Sequence, residues 1–451
     1  MRTGIFSLVV FILVVIFLSP VKLQGWGPGH SRMTEAAVSV LPDWQKKLVS
    51  AAGENLIRKY CHYPDRKDSP EVSPYIILID KIQFHYLPRA SPAENYRFFT
   101  AGASAYLGKI LTCLKEGKTD EGLKYLGYLF HVLQDACHPG IHSLEGFNGL
   151  TWVQLGEIIQ PPGNAHPLYS PQAVFQVIID FDAAAEFKVS LEKYQPELLG
   201  TTVPEIVFHL YQGYVKAVRT ARAVAVPAAE KVYSGKKEEA IPYLLKAAES
   251  GARLCADLAY TCFCNSTGRV SEDDLAWLNR IDLTSLEPIS VPLITSFPYR
   301  FTPLILGASL GRWRKVYPLE LWVEENGKRE KKKFEKGFST GMVPVGYDLP
   351  AEVFSSVEVW AGIHATLGAD DWDGNRLKAE PPAAFTMAIK LSGKTLWESK
   401  VLQKNSPAEK VKISLESGGR LEFVARDASG ASVNHANQPV WAEPVLIRLN
   451  R

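Results

Sequence analysis

Eight of the ten histidines lie before residue 210, and most stand in short motifs with aspartate, proline or a tight turn. His131-Val-Leu-Gln-Asp135 sets an imidazole and a carboxylate four residues apart, the spacing that puts both on one face of a helix. A ring nitrogen and a carboxylate oxygen placed that way converge on one cation, and zinc takes such mixed ligands at about 2.0–2.2 Å. One such pair is also a common surface hydrogen bond. Here it is followed by His138, Pro139 and His142, and further on by Asn164-Ala165-His166. Upstream stand Trp26-Gly-Pro-Gly-His30, Tyr63-Pro64-Asp65 and Phe84-His85-Tyr86. None of the six cysteines forms a CxxC pair, which argues against a thiolate zinc site. The remaining histidines read differently: His62 as a surface group or a neighbour of the ligands, His209 as a satisfied core residue, and His364 and His435 as residues without partners at metal spacing.

The elements that must position these motifs are helices. Apolar residues recur at three- and four-residue spacings over 34–41, 92–115, 121–137, 171–193, 203–234 and 236–264, with Pro227 an expected kink. This predicts an all-α bundle over 26–268. A stretch rich in Pro, Ser and acidic residues over 269–300 reads as a linker. Beyond it the period changes to two, as in Leu319-Glu-Leu-Trp-Val-Glu-Glu325, Phe385-Thr-Met-Ala-Ile-Lys-Leu391 and Leu421-Glu-Phe-Val-Ala425. That alternation predicts an all-β antiparallel sandwich over 301–451, with the charged tract 328–336 as a solvated hairpin. The expected fold class is therefore multidomain, helices first and sandwich second.

With 50 basic against 48 acidic residues, the chain lacks the broad basic field that non-specific nucleic-acid binding draws on. Residues 1–25 read as a signal peptide: Arg2, then an apolar run from Ile5 to Leu18, then Ser19-Pro20 and a short mixed stretch. The run is shorter than the roughly 20 residues a membrane span needs. The expectation is a secreted or periplasmic protein, cleaved between Gly25 and Trp26, with no transmembrane segment in the mature chain. In such a chain six cysteines permit disulfides, but no pairing is legible, and Cys262 and Cys264 are too close for an easy mutual bond.

Over residues 26–264 these motifs resemble the superfamily that unites zinc-dependent bacterial phospholipases C with single-strand-specific nucleases. The resemblance implies three zinc ions in a helical domain whose N-terminal tryptophan is itself a ligand through its amine and carbonyl. It implies Trp26, His30 and Asp135 on one ion, and Asp65, His85, His131 and the same Asp135 on its neighbour. A third ion would take His142 and His166, with His138 the alternative to His142. The family's carboxylate four residues after the last histidine is Ser170 here, leaving Glu145 or Glu157 as substitutes, and Pro88 stands where the family tends to have an aspartate. Two or three zinc ions would clamp a phosphodiester and acidify a water for in-line attack at phosphorus. Asp135 would bridge two ions and Asp65 would orient the water.

From about residue 300 onward the chain resembles the NPCBM carbohydrate-binding-module family in Val343-Pro-Val-Gly-Tyr-Asp-Leu-Pro350, Gly368-Ala-Asp-Asp371, Leu396-Trp-Glu-Ser399 and Asn434-His-Ala-Asn437. It implies either a glycan ligand or a stabilising partner for the helices. The leading expectation is a phospholipase C-like zinc phosphodiesterase acting on phospholipid. The alternatives are a sugar-non-specific nuclease acting on nucleic acid, and a glycan-binding exoprotein with a structural or degenerate zinc site.

Overall fold

A computed structural model of the chain describes residues 26–50, 52–84, 92–139, 188–289, 304–310, 315–340, 342, 344–368, 381–415, 417–430 and 437–449. His85, Tyr86, Pro88, His142, Glu145, Glu157, His166, Ser170 and His435 lie outside them, as do the signal-peptide reading and most of the helix expected over 171–193.

The first half is helical. In chain order its helices are α1 (Pro28–Ser39), α2 (Asp43–Val49), α3 (Gly53–Arg58), α4 (Pro92–Lys115), α5 (Thr119–Ala136), α6 (Val203–Tyr233), α7 (Lys237–Thr267) and the short α8 (Glu272–Ala276). Among the described residues none is long and apolar enough to cross a membrane. From Tyr128 to Ala136 every residue of α5 is buried, so this helix is enclosed on all sides by its neighbours. Pro227 sits inside α6, which runs on past it. Gly268, at φ 69°, ends α7 in the left-handed conformation that glycine adopts without a Cβ penalty.

Two expectations are corrected here. Residues 188–193 are not helical, and Lys193 takes φ 67°, outside the helical region. A two-residue ribbon, β1 (Leu78–Ile79) against β2 (Ile82–Gln83), interrupts the helices, turned by Asp80 and Lys81 at φ 51° and 68°.

Two glycines set how closely the site-bearing segments approach. A Cβ on Gly127 of α5 would stand 2.6 Å from the backbone carbonyl carbon of Tyr60, so the turn that leads to Asp65 can lie flat on the helix only there. Gly102 of α4 likewise leaves room for the buried Phe84 ring, which anchors the chain just before His85. Because backbone cannot yield as a side-chain tip can, Gly127→Ala is expected to cost about 1–3 kcal/mol of stability, read from the denaturation midpoint. An unchanged midpoint would contradict this packing.

Asp257 of α7 ties down the strap that precedes α6, accepting hydrogen bonds from the Tyr194 hydroxyl at 2.8 and 2.9 Å and from the Glu197 N–H at 2.9 Å. Burial outweighs those bonds and pushes its carboxyl up to about 7. An unfolded aspartate titrates near ~3.9, so between about pH 4 and 7 the folded chain holds the extra proton. The stability this group contributes is full below about pH 4 and is lost as pH rises through 7. Asp257→Asn keeps one acceptor and removes the titration. Thermal unfolding of the variant is expected to vary less between about pH 5 and 8 than that of the parent, and an identical pH slope would rule out this assignment.

The second half is a sandwich of antiparallel strands: β3 (Arg280–Asp282), β4 (Ile305–Leu306), β5 (Ala308–Leu310), β6 (Val316–Glu325), β7 (Lys328–Phe334), β8 (Gly337–Ser339), β9 (Val345–Leu349), β10 (Phe354–Ile363), β11 (Ala384–Leu391), β12 (Lys394–Glu398), β13 (Leu402–Gln403), β14 (Glu409–Ser414), β15 (Gly419–Asp427) and β16 (Pro439–Arg448). One sheet runs β14-β10-β16-β8-β4 with β3 also on β16, a second runs β12-β11-β15-β9 with β13 also on β11, and β5-β6-β7 form a third. The period-two pattern explains the facing cores. Met387, Ile389 and Leu391 of β11 stand opposite Ala425, Phe423 and Leu421 of β15, all buried. Phe423 then meets Trp441 of the other sheet at 5.0 Å between ring centroids. The charged tract is the hairpin arm β7, largely exposed, closed on β6 by Asn326-Gly327 with φ 56° and 74°. Residues 280–282, read as linker from composition, are instead a strand paired to β16 through Ile281 and Leu446.

The two halves share a buried joint. Phe208 of α6 packs into the sandwich core, its ring 5.4 Å from that of Phe354. Arg448, at the end of β16, donates to both Glu205 oxygens at 2.6 and 2.9 Å and to the Thr201 hydroxyl at 2.6 Å. Glu287 takes Arg219 at 2.5 Å while its N–H donates to Gln212 at 2.6 Å. His209 beside this joint is buried, yet its Nε2 has no hydrogen-bond partner among the described residues, so it is not the satisfied histidine expected. Its ring stacks edge-on against Phe208 and Trp277, and burial lowers its pKa to about 4, which keeps it neutral.

Candidate metal centre

Three segments distant in sequence bring their polar groups together at the enclosed end of α5. His131 and Asp135 come from α5 itself, one turn apart, with His131 Nε2 3.1 Å from Asp135 Oδ2. His30 comes from α1, its Nε2 3.5 Å from Asp135 Oδ1. Asp65 comes from the short turn Pro64–Arg66, with Oδ1 3.7 Å from His131 Nε2. One donor atom each from His30, Asp65 and His131 lie within 4.8 Å of one another. The two imidazoles stack at 4.0 Å and 15°.

The orientation of both rings is set from behind. His131 Nδ1 donates to the Cys61 carbonyl at 2.8 Å, and His30 Nδ1 donates to Gln134 Oε1 at 2.8 Å. An imidazole that donates from Nδ1 presents Nε2 on its other side, so both Nε2 atoms face the carboxylates, and on the neutral His30 that atom carries the lone pair. His30 Nε2 is fully buried and makes no hydrogen bond among the described residues. Burial and the neighbouring His131 hold His30 well below the usual histidine pKa. Burial also disfavours charge on His131, but the Asp135 and Asp65 carboxylates outweigh it and raise its pKa to about 9.

A buried lone pair with no donor to meet it, a second imidazole aimed the same way and two carboxylates form a nitrogen and oxygen donor set that suits zinc. The residues present therefore fit a cation. The side chains of His30, His131 and Asp135 are 0, 1 and 6% exposed, whereas that of Asp65 is 17% exposed and marks the open edge.

Trp26 stands at the same end, buried, its indole N–H donating to the Gln134 carbonyl at 2.8 Å. A Cβ on Gly29 would come within 2.9 Å of the Trp26 Cβ, so the glycine lets the chain fold back over the start of α1. His138, the alternative to His142, packs edge-on against the Trp26 ring at 4.8 Å. His62 also borders the group: its Nε2 is 2.9 Å from the Ser31 hydroxyl and its ring 5.5 Å from His30. Sequence reasoning missed Gln134, although a fully buried amide in an apolar helix between His131 and Asp135 was a visible signal. All six cysteines are free thiols inside the helical half.

Comparison with known proteins adds one domain assignment. Residues 330–447 match the NPCBM/NEW2 domain. A CBM51 module from Clostridium perfringens GH95, solved in complex with methyl-galactose, shares 18% identity over 37% of this chain and 99% of its own, with a TM-score of 0.29. Over 95% of this chain there are matches to the alpha toxin of Clostridium absonum (8% identity, 96% of that chain, TM-score 0.33) and to Clostridium perfringens alpha-toxin from an avian strain (10%, 97%, TM-score 0.28). No curated protein matches in sequence.

Proposed function

We propose that the helical half is an exported, zinc-dependent phosphodiesterase of phospholipase C type. The observation that carries this reading is the buried His30 Nε2, without a hydrogen bond among the described residues, facing Asp135 beside His131 and Asp65. Trp26, His30 and Asp135 would hold one zinc, and Asp65, His85, His131 and the same Asp135 its neighbour, with His142 or His138, and His166, proposed for a third. Zinc bound there supplies Lewis acidity toward phosphoryl oxygens and lowers the pKa of water toward neutrality. The chain's own groups do the rest. Asp135 faces both imidazoles and supplies one oxygen to each. The Cys61 carbonyl and Gln134 keep both Nε2 atoms pointed inward. Asp65, at the open edge, is the carboxylate within reach of an entering water and orients it toward the phosphorus. The buried walls exclude bulk solvent.

Side-by-side assays of phosphatidylcholine, single-stranded DNA and a chromogenic phosphodiester separate the readings. The proposal expects zinc-dependent turnover, strongest on the phospholipid. Preference for DNA would move the protein to the nuclease reading. No turnover with zinc bound would leave a glycan-binding protein with a structural metal. For the sandwich we propose glycan attachment, supported by the domain match and by an open cleft of about 330 Å³ lined by Trp360, Arg280, Glu358 and Lys410.

A further inference from the structure

Resting on the zinc reading above, we propose that Gln134 is a positioning residue that selects the tautomer and orientation of His30. Gln134 is fully buried where α1 crosses α5. Its amide is used at both ends: Oε1 accepts from His30 Nδ1 at 2.8 Å, and Nε2 donates to the Thr34 hydroxyl at 2.9 Å. His30 and Thr34 are four residues apart on α1, so the amide spans one turn of that helix and touches it twice. Its direction is thereby fixed, with the oxygen toward the histidine and the nitrogen toward the threonine. The backbone carbonyl of the same residue takes the Trp26 indole N–H at 2.8 Å, so one residue contacts both Trp26 and His30.

The chemical consequence lies on the far side of the ring. An imidazole whose Nδ1–H is held by a carbonyl oxygen presents a basic Nε2, and outer partners of this kind also stop the ring from flipping. His131 receives the same treatment from the Cys61 backbone carbonyl. A backbone carbonyl cannot be mutated away, but the His30 partner is a side chain. The cluster is therefore asymmetric: one imidazole is oriented by the fold, the other by a single replaceable amide.

Two variants and one spectrum test this. Gln134→Met keeps the length and removes the acceptor, while Gln134→Glu restores an acceptor at the same place. With zinc alone as the titrant, Q134M should bind about 10–100-fold more weakly than the parent, and Q134E should recover most of that loss. The ring-nitrogen NMR shifts of His30 in the metal-free parent should show the proton on Nδ1, and Q134M should lose that preference, which a purely structural role would not move. Equal zinc affinity in Q134M and the parent overturns the proposal. So does a parent His30 protonated on Nε2, and this readout stands even if Q134M fails to fold. A parent that binds no zinc at all defeats the metal reading, while the tautomer measurement still judges Gln134.

Discussion

Asp135→Asn is expected to remove more than one equivalent of zinc and to reduce phosphodiester hydrolysis to background. Asp135 is 4% exposed and stands within 3.5 and 3.1 Å of the inward nitrogens of His30 and His131. The amide is the same size, so packing is kept while the charge shared by both imidazoles is lost. The loss should exceed the roughly 10–100-fold that follows removal of an outer partner, because here a proposed ligand itself is changed. Stability should follow. The proposed ligands come from α1, the Pro64–Arg66 turn and α5, so metal binding ties distant segments together and its free energy adds to folding. The variant in zinc should melt like the chelated parent. A variant with full activity or full zinc content would remove Asp135 from the centre.

A chain carrying extra residues ahead of Trp26 is expected to bind at least one zinc fewer and to be severely impaired. Trp26 is 1% exposed, its ring pinned by Gln134 and edged by His138, so its main chain has little freedom to move away from the cluster. An α-amine locked in a peptide bond has no lone pair to give, and upstream residues would crowd an end that is already closed. Zinc analysis and turnover of the form starting at Trp26, against the same chain with an N-terminal tag, check this. Equal zinc and equal rates would remove Trp26 from the ligand set and leave His30 to be judged separately.

The long helices were legible because their apolar periods are strong. The helix expected over 92–115 is α4 residue for residue, and α5, α6 and α7 differ from expectation by one to three residues at their ends. The start of α1 was not legible, since Pro28-Gly29-His30 gives no apolar period although Pro28 suits a first helical position. In the site, His131 and Asp135 were readable because one helix carries both. Their meeting with His30 and Asp65 was suggested only by resemblance, for it depends on Gly127 admitting the Tyr60 backbone, a close approach that no local pattern encodes. The linker reading failed at Arg280–Asp282 for a similar reason: three residues have too little periodicity, and β16 supplies the pairing that makes them a strand.

His30, Asp65, His131 and Asp135 are proposed to hold zinc, with Asp135 shared between two ions. An anomalous-difference map from crystals of the zinc-loaded protein, recorded on both sides of the zinc edge, tests it directly. Zinc peaks are expected within coordination distance, about 2.0–2.2 Å, of His30 Nε2 and of His131 Nε2, with an oxygen of Asp65 on the second and oxygens of Asp135 on both. Zinc-loaded crystals with no peak among these four side chains would contradict the proposal.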